Sequence, residues 1–348
     1  VRPGTIAGGI GHVGGVDGGS PAPDRPWIPP ASTAAAVSPS GTAIPPEEAK
    51  RIKGLGFLHN KGTANFSARV LTVNGVVTAT QLRRIAEAAE KFGNGKVAFT
   101  TRQTVEVQGI PIGQIEAFRA FIAPAGLETG GTGPKVRPVV ACKGTTCQYG
   151  LIDTFDLSRK IHDRFYTGYH QTLLPHKFKI AVGGCPNNCV KPDLNDLGLI
   201  GQRIPALEKT HCRGCAKCAV EAGCPIHAAK VADGALHIDE TICSHCGRCI
   251  GKCPFGAIKT GTTGYKIYIG GRWGKEAQRG IPLKTVFMTE KEAMDIIEKA
   301  ILLFREQGQT GERFAAVIGR LGFEHVQEQL LSNGLLARKD AILAASLH

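Results

Sequence analysis

All twelve cysteines of this 348-residue chain fall into three groups of four. The groups are Cys142, Cys147, Cys185 and Cys189; Cys212, Cys215, Cys218 and Cys224; and Cys243, Cys246, Cys249 and Cys253. The last eight read C-x2-C-x2-C-x5-C-P and C-x2-C-x2-C-x3-C-P, a spacing typical of cubane iron–sulfur clusters in bacterial ferredoxins. Cluster ligands must stay as thiolates, so a reducing cytoplasm is predicted. We therefore expect a chain that conducts electrons to a redox centre.

Zinc is the competing metal, because C-x2-C pairs also bind zinc. Three cysteines at i, i+3 and i+6 followed by Cys-Pro favour iron–sulfur clusters for residues 212–253. In a two-fold ferredoxin the fourth cysteine of each run ligates the cluster of the other run. One predicted cluster is therefore held by Cys212, Cys215, Cys218 and Cys253, and the other by Cys243, Cys246, Cys249 and Cys224.

The formal net charge of +13 would ordinarily suggest nucleic acid or an anionic membrane. Aromatic residues make up only 6% of the chain, however, and the basic residues form no long run. Three four-thiolate [4Fe-4S] centres would balance about six of these charges. We interpret the excess as matched to buried anions and an anionic substrate, and expect no nucleic-acid partner. The sequence contains no apolar run of about 18 residues, so we expect no membrane-spanning helix.

The chain divides into segments of different character. Residues 1–44 are rich in Gly, Pro, Ser and Ala and predict a flexible extension without the layout of a secretion signal. Residues 45–126 predict a βαββα unit: a strand at 68–73, a helix from Thr80 with Leu82 on its buried face, a strand or hairpin at 96–107, and a helix at 112–122. Residues 127–208 and 264–348 predict an α/β unit, interrupted by a cysteine module at 209–263.

The first cysteine group differs from the other two. Its pairs, C-x4-C and C-x3-C, each follow a predicted strand, at 138–141 and 177–182, and ligands gather at such strand ends. Gly183 and Gly184 would let the backbone approach a cluster, and the turn after Cys185 would offer amide donors to its sulfurs. A structural zinc site of four cysteines is the alternative.

Two lysines alternate with apolar residues on the strand that leads into this group. Lys177 and Lys179 point to one face, and Phe178 and Ile180 to the other. The pair could form a pocket for a small oxyanion, or an ordinary solvated face. Arg69, Arg102 and Arg137 are further cationic candidates.

The segments LPHKFKIAVGGCPNNC, AFTTRQT and FSARVLTVNGVVT together resemble the siroheme-dependent sulfite and nitrite reductases. With its cysteine module, the chain is most similar to the anaerobic and dissimilatory-type sulfite reductases, over about residues 50–348. The resemblance implies an α+β fold: a ferredoxin-like half-domain, an α/β domain for siroheme and a [4Fe-4S] cluster, and an inserted ferredoxin domain. It implies siroheme and three [4Fe-4S] clusters as cofactors.

The resemblance also implies roles for individual residues. Siroheme would be bridged through Cys189 to a cluster held by the first cysteine group. The cations that would face the substrate are Arg69, Arg137, Lys177 and Lys179. The residues that would contact siroheme are Arg102, Asn187 and, in GGRWGKEAQRG, Arg272, Lys275 and Arg279.

The sequence departs from the family in two respects. The first cysteine pair is spaced C-x4-C where the family usually has C-x5-C. The chain is also one repeat long, whereas in fused assimilatory enzymes one half supplies the cations and the other the cysteines. We therefore predict a homodimer, or a related subunit, that completes the site.

The implied activity is reduction of sulfite to sulfide, with an electron-donor protein or subunit that the sequence does not identify. Reduction of nitrite to ammonia would use the same residues. A non-catalytic electron-transfer subunit is the alternative from another class, although the retained cations and GGRWGKEAQRG argue against it.

Overall fold

The computed structural model describes residues 44–347 and begins with a four-stranded antiparallel sheet in the order β1-β2-β4-β3. Its strands are β1 Phe57–His59, β2 Asn65–Val70, β3 Val97–Phe99 and β4 Val105–Pro111. Helices α1 Pro46–Gly54, α2 Ala79–Phe92 and α3 Ile115–Ile122 share one apolar core with the sheet. The Gly- and Pro-rich extension predicted for residues 1–44 lies, up to residue 43, outside the described residues.

Several details of this unit differ from the sequence expectation. Helix α2 begins after Thr78, which forms a capping box with Gln81. Leu82 was predicted on the buried face of this helix, but it is 45% exposed. The strand expected at 68–73 ends at Val70, because the amide of Leu71 donates to the carbonyl of Glu128 instead. The segment 96–107 forms the β3–β4 hairpin, and α1 and β1 are additional elements.

A second, five-stranded sheet has the order β11-β10-β7-β6-β5. Strands β5 Val140–Ala141, β6 Ile180–Gly183 and β7 Leu197–Pro205 are parallel, and β10 Gly261–Ile269 and β11 Ile281–Phe287 continue the sheet antiparallel. The strand predicted at 177–182 thus starts later, although the buried Phe178 and half-buried Lys177 and Lys179 keep the predicted alternation.

Helices enclose the core of this second sheet. Helix α4 Thr154–Ile161 continues as a π-helix, His162–Thr167. Among the following helices, α6 Glu290–Gln307 begins with a capping box formed by Thr289 and Glu292. The remaining C-terminal helices are α7 Phe314–Leu321, α8 Phe323–Leu331, α9 Gly334–Ala337 and α10 Lys339–Ala344. Within residues 44–347, no helix is long and apolar enough to cross a membrane.

The cysteine-rich module grows out of the β7–β10 hairpin. These strands pair from Leu197 with Ile269 to Pro205 with Gly261, so residues 206–260 protrude from the hairpin end. Within the module lie α5 Ala219–Ala222 and the hairpin of β8 Ala229–Ala232 and β9 Ala235–Ile238. They enclose a small apolar core, and the cysteines Cys212, Cys218, Cys224, Cys249 and Cys253 pack around it.

Two residues of the TTRQT segment join the two sheets. The side-chain amide of Gln103 donates to the carbonyl of Ala141 at 2.6 Å and accepts from its amide at 2.9 Å. Gln103 thereby pairs with the edge strand β5, immediately before Cys142. Arg102 donates to the Pro138 carbonyl at 2.7 Å and to Asn195 at 2.8 Å.

Candidate active site

The first cysteine group lies at the carboxyl ends of β5 and β6, where Cys142 and Cys185 follow the strands. Gly144 and Gly184 let the two loops cross, since a Cβ on Gly184 would lie 2.8 Å from Gly144 Cα. The amide of Gly184 donates to Cys142 Sγ at 3.1 Å. This edge of the sheet therefore supplies both thiols and an amide donor for sulfur.

The four thiols of this group influence one another electrostatically. Burial raises the pKa of Cys185, and the nearby Cys142, Cys189 and Cys147 raise it further, whereas a hydrogen bond from the Asn187 amide opposes the shift. Cys189 is exposed and the other three are half-buried. In the described part of the chain, no three His, Cys, Asp or Glu side chains are placed to share one metal ion. A cubane cluster makes a different demand, because each thiolate binds a separate iron.

In the module, Cys224 faces the second cysteine run. Burial raises the pKa of Cys249 to about 11, and Cys243, Cys246 and Cys224 add to the shift. The pKa of Cys224 itself is lowered, because four backbone amides donate to its sulfur and outweigh the effect of burial, which would raise it. These amides belong to Ala229, Ile226, Ala228 and His227. The grouping matches the predicted exchange of fourth cysteines, which stays a prediction.

Strand β7 connects the two cysteine sites. The amide of Arg203 donates to the His245 carbonyl at 2.7 Å, and the backbones of Arg203 and Cys246 pair in an isolated parallel β-bridge. Two residues earlier, Gly201 packs against the loop that follows β6, where a Cβ would lie 2.7 Å from the Gly184 carbonyl oxygen. The second cysteine run and the Cys185 loop therefore contact neighbouring residues of one strand.

A polar cleft opens between these two loops. It has a volume of about 230 Å³, and its lining includes Asn188, Gln202, Ser244, Lys266 and Arg279. Asn188 Oδ1 and Gln202 Oε1 are buried without a hydrogen-bond partner among the described residues. Lys266 and Arg279, next to the turn that precedes Cys189, suit the carboxylates of a cofactor, although Asp193 also lines the cleft and pairs with Arg279. The two unpaired amide oxygens would need hydrogen-bond donors such as water.

The candidate substrate cations gather at the opposite end of the parallel strands. The amide of Arg137 donates to the Phe178 carbonyl at 2.8 Å, which places Arg137 beside both lysines. Burial and the neighbouring Arg102 and Arg313 lower the pKa of Lys179 to about 8. Burial, then Arg313 and Arg137, also lower the pKa of Lys177.

A buried ion pair, which sequence reasoning missed, lies among these cations. Asp196 is fully buried, and Arg313 Nη2 contacts its two oxygens at 2.9 and 3.1 Å. Asp196 directly precedes the apolar strand β7, and a carboxylate there was a signal that a cationic partner is needed. Nothing in the local sequence identifies Arg313, which caps α7, as that partner.

The remaining predicted residues are distributed unevenly. Arg69 pairs with Glu106 at 2.7 Å on the neighbouring strand. Asn187 is exposed in its turn, and Lys275 is exposed in the loop 271–280. In that loop Arg272 pairs with Glu276, and Arg279 pairs with Asp193 at 2.8 Å beside the polar cleft. Arg102, bound to Pro138 and Asn195, lies instead with the cations at the other edge.

The cations and the first cysteine group occupy opposite edges of the sheet. Cys185 follows Lys179 by six positions, and β6 lies between them. At the strand rise of about 3.3 Å per residue, their backbones are roughly 20 Å apart. Within one chain, the cysteines and the candidate substrate cations therefore lie at different ends of the strands.

Comparison with known proteins reveals relatives of this architecture. A coenzyme F420-dependent sulfite reductase of Methanocaldococcus jannaschii is 34% identical over 72% of this chain, and the match spans only 39% of that protein. The alpha subunit of the dissimilatory-type sulfite reductase of Allochromatium vinosum is 27% identical, over 72% of this chain and 65% of that subunit.

The fold itself matches a solved enzyme. The match to the solved structure of dissimilatory sulfite reductase I covers 77% of this chain and 69% of that chain, with a TM-score of 0.62 and 23% identity. This likeness confirms the predicted α+β fold class. The family model for the nitrite and sulphite reductase 4Fe-4S domain matches residues 132–335, and the model for the ferredoxin-like half domain matches residues 59–125. The chain belongs to the nitrite and sulphite reductase family.

Proposed function

We propose that this chain reduces sulfite to sulfide at siroheme, with electrons relayed through [4Fe-4S] clusters in a reducing cytoplasm. The observation that carries the proposal is the group of half-buried cations at the start of β6. Within residues 44–347, no carboxylate lies within ion-pair distance of Arg137, Lys177 or Lys179. Asp196 is a nearby buried carboxylate, but it is already paired with Arg313, so the group keeps an excess of positive charge that suits an anion.

The residues present fit the cofactors of the family. Cys142, Cys147, Cys185 and Cys189 would hold one [4Fe-4S] cluster, and the exposed Cys189 would bridge it to siroheme. The polar cleft with Lys266, Arg279 and Asn188 would take the siroheme carboxylates. When bound, siroheme supplies an iron centre that accepts electrons one at a time and passes them to the substrate.

Two further clusters would complete the relay. The eight cysteines of the module account for both, which brings the proposed number to three. The contact of the second cysteine run with β7 supports a path from the module to the first group, because both loops meet that strand. An electron-donor protein or subunit would deliver electrons to the module.

The protein's own residues bind the oxyanion and supply protons. Arg69, Arg137, Lys177 and, while protonated, Lys179 would hold the negative charge of sulfite and of its reduced forms. Lys179 Nζ, with a pKa of about 8, holds a proton at neutral pH and releases it with little driving force. It can therefore donate one of the two protons that each substrate oxygen needs to leave as water, while solvent supplies the second and reprotonates the lysine, and two electrons arrive through the relay for each oxygen.

The separation of cations and cysteines supports a site that is completed by a second chain. A symmetric homodimer, or a complex with a related subunit, would place the cations of one chain opposite the cysteines of the other. We propose that each site forms across such an interface, as the two halves of the fused enzymes imply.

Absorption spectra of protein purified without oxygen, together with an iron and sulfide count, test the proposal. Tetrapyrrole bands and sulfite turnover support the enzyme, whereas cluster absorption alone indicates an electron-transfer subunit. Lys177→Ala and Lys179→Ala should abolish most turnover with unchanged spectra, and normal turnover in both would remove their role. Nitrite is the second substrate to measure, because the matching family model covers both reactions.

A further inference from the structure

Tyr166 lies beneath the glycine turn that holds two of the candidate substrate cations. Its hydroxyl accepts a hydrogen bond from the amide of Gly131 at 3.1 Å. The carbonyl of the same Gly131 accepts from Arg69 Nη1 at 3.4 Å and from Arg137 Nη1. The amide of Gly131 thus contacts the buried phenol of Tyr166, and its carbonyl contacts both guanidinium groups. Gly131 therefore links Tyr166 to Arg69 and Arg137.

We propose that Tyr166 is a positioning residue for the oxyanion site, which holds the Gly130–Gly131 turn so that its carbonyl gathers Arg69 and Arg137. The inference rests on the proposed function, since it presumes that these arginines bind the substrate. Nothing in the family resemblance singled out Tyr166.

The turn is shaped to accept the phenol at close range. A Cβ on Gly130 would lie 2.7 Å from the Tyr166 hydroxyl oxygen. Gly131 has a φ of +72°, and a Cβ there would lie 2.8 Å from Pro138 Cγ. Larger residues at either position would push the turn away from Tyr166 or from Pro138, the neighbour of Arg137.

The local helix is irregular at the point where it presents Tyr166. The π-helix His162–Thr167 widens the last turn, and the amide of Gly168 bonds five residues back to the Asp163 carbonyl at 3.1 Å. His162 stacks on the Tyr166 ring, with centroids 4.7 Å apart. Such single-turn π-segments are frequent at functional sites, because they redirect side chains that a regular helix would point elsewhere.

Two positive groups on one carbonyl repel each other and need a rigid anchor. Glu106 already holds Arg69, through Nη2 at 2.7 Å and Nε at 3.1 Å. Burial and the Arg69 charge lower the pKa of Arg137 to about 10, which shows how closely the two charges approach. If the turn relaxes, we expect Arg137 to move away from Arg69, and the site to lose affinity for a small anion.

Isothermal titration of the anaerobically purified protein with sulfite tests the inference. Tyr166→Phe removes one hydrogen bond and should weaken sulfite binding about 5- to 10-fold, with a matching rise in KM, nearly constant kcat and unchanged cofactor spectra. Tyr169→Phe is the matched control. The buried hydroxyl of Tyr169 donates to Glu298 at 2.6 Å and does not contact Arg69 or Arg137. The control should lose stability and keep its sulfite affinity.

A second variant separates positioning from general damage. Gly130→Ala should press its methyl group on the Tyr166 hydroxyl and also weaken sulfite binding. In the double variant Tyr166→Phe/Gly130→Ala, the hydroxyl oxygen that the alanine methyl would meet is absent. The fold loss of sulfite affinity in the double variant should therefore be at least about threefold smaller than the product of the fold losses in the two single variants. Wild-type affinity in Tyr166→Phe, or fully additive losses, would overturn the inference alone. A wild-type protein that binds no sulfite would overturn the proposed function with it.

Discussion

The backbone amide of Lys179 donates a hydrogen bond to Asp196 Oδ2 at 2.9 Å, whereas the carboxylate of Asp196 forms its ion pair with Arg313. One buried carboxylate therefore fixes the backbone of the lysine and the side chain of the arginine. In the described range 44–347, the Lys179 ammonium has no carboxylate within ion-pair distance. This arrangement keeps a cation available for a substrate while a neighbouring charge is neutralised.

Sulfite affinity should fall as the pH rises through about 8, the pKa to which burial and the adjacent Arg102 and Arg313 lower Lys179. Above that pH Lys179 loses its charge, so KM should rise up to tenfold per pH unit. Steady-state kinetics across this range measures the effect. Lys179→Arg is the control, because arginine stays charged and its KM should not show this rise. A pH-independent KM in the wild-type protein would contradict the assigned role.

The same group affects folding in a defined direction. Because folding lowers the pKa of Lys179 from 10.5, the unfolded chain binds more protons between about pH 8 and 10.5. The contribution of Lys179 to the free energy of unfolding should therefore rise with pH in this window. Urea titrations of the wild-type protein and of Lys179→Met should show a difference in the free energy of unfolding that changes with pH between about pH 8 and 10.5 and no longer depends on pH below about pH 7.

Asp196→Asn should destabilise the fold by about 3–5 kcal/mol, because it leaves Arg313 buried without a counter-charge among other cations. The change in urea midpoint measures this loss. Asp156→Asn is the matched control, since Asp156 pairs with Arg159 and Lys160 on the surface and should cost at most about 1 kcal/mol. Equal effects of the two substitutions would show that the buried ion pair contributes no more to the free energy of unfolding than the surface pair.

Gly184→Ala should separate the two loops of the first cysteine group, because its methyl would meet Gly144 Cα at 2.8 Å and Cys142 Sγ at 3.4 Å. With three proposed clusters, the expected loss is about one third of the iron. Gly113→Ala, where a Cβ meets nothing within 4 Å, is the control and should keep full iron content. Full iron content in Gly184→Ala would show that the close approach of the loops is dispensable.

Iron counts also test the exchange of fourth cysteines. If Cys224 and Cys246 hold one cluster, the double variant Cys224→Ser/Cys246→Ser should lose no more iron than either single variant. Cys224→Ser/Cys215→Ser should lose about twice as much, because the residues belong to different clusters. The reverse pattern would assign Cys224 to the run that precedes it.

Mixed dimers test whether two chains complete one site. Lys177→Ala/Lys179→Ala chains keep their cysteines, and Cys185→Ser chains keep their cations. When the two inactive variants are co-expressed, half of randomly formed dimers are mixed and each has one intact site. About one quarter of wild-type activity should return. No recovery in dimers shown to be mixed would mean that both sets act within one chain or with another subunit.

The sequence alone determined the features that neighbouring residues encode. The three cysteine groups, the Thr289–Glu292 capping box and the alternation around Phe178 are patterns of close spacing, and each depends on local backbone geometry. The same local signals misplaced Leu82 and the end of β2, because long-range contacts decided which face is covered and where the chain leaves the sheet.

Only the tertiary structure decided which distant residues meet. Asp196 and Arg313 are 117 residues apart, and Gln103 pairs with Ala141 across two separate sheets. Such pairings depend on sheet order and on the burial of charge, and neither leaves a pattern in a short stretch of sequence.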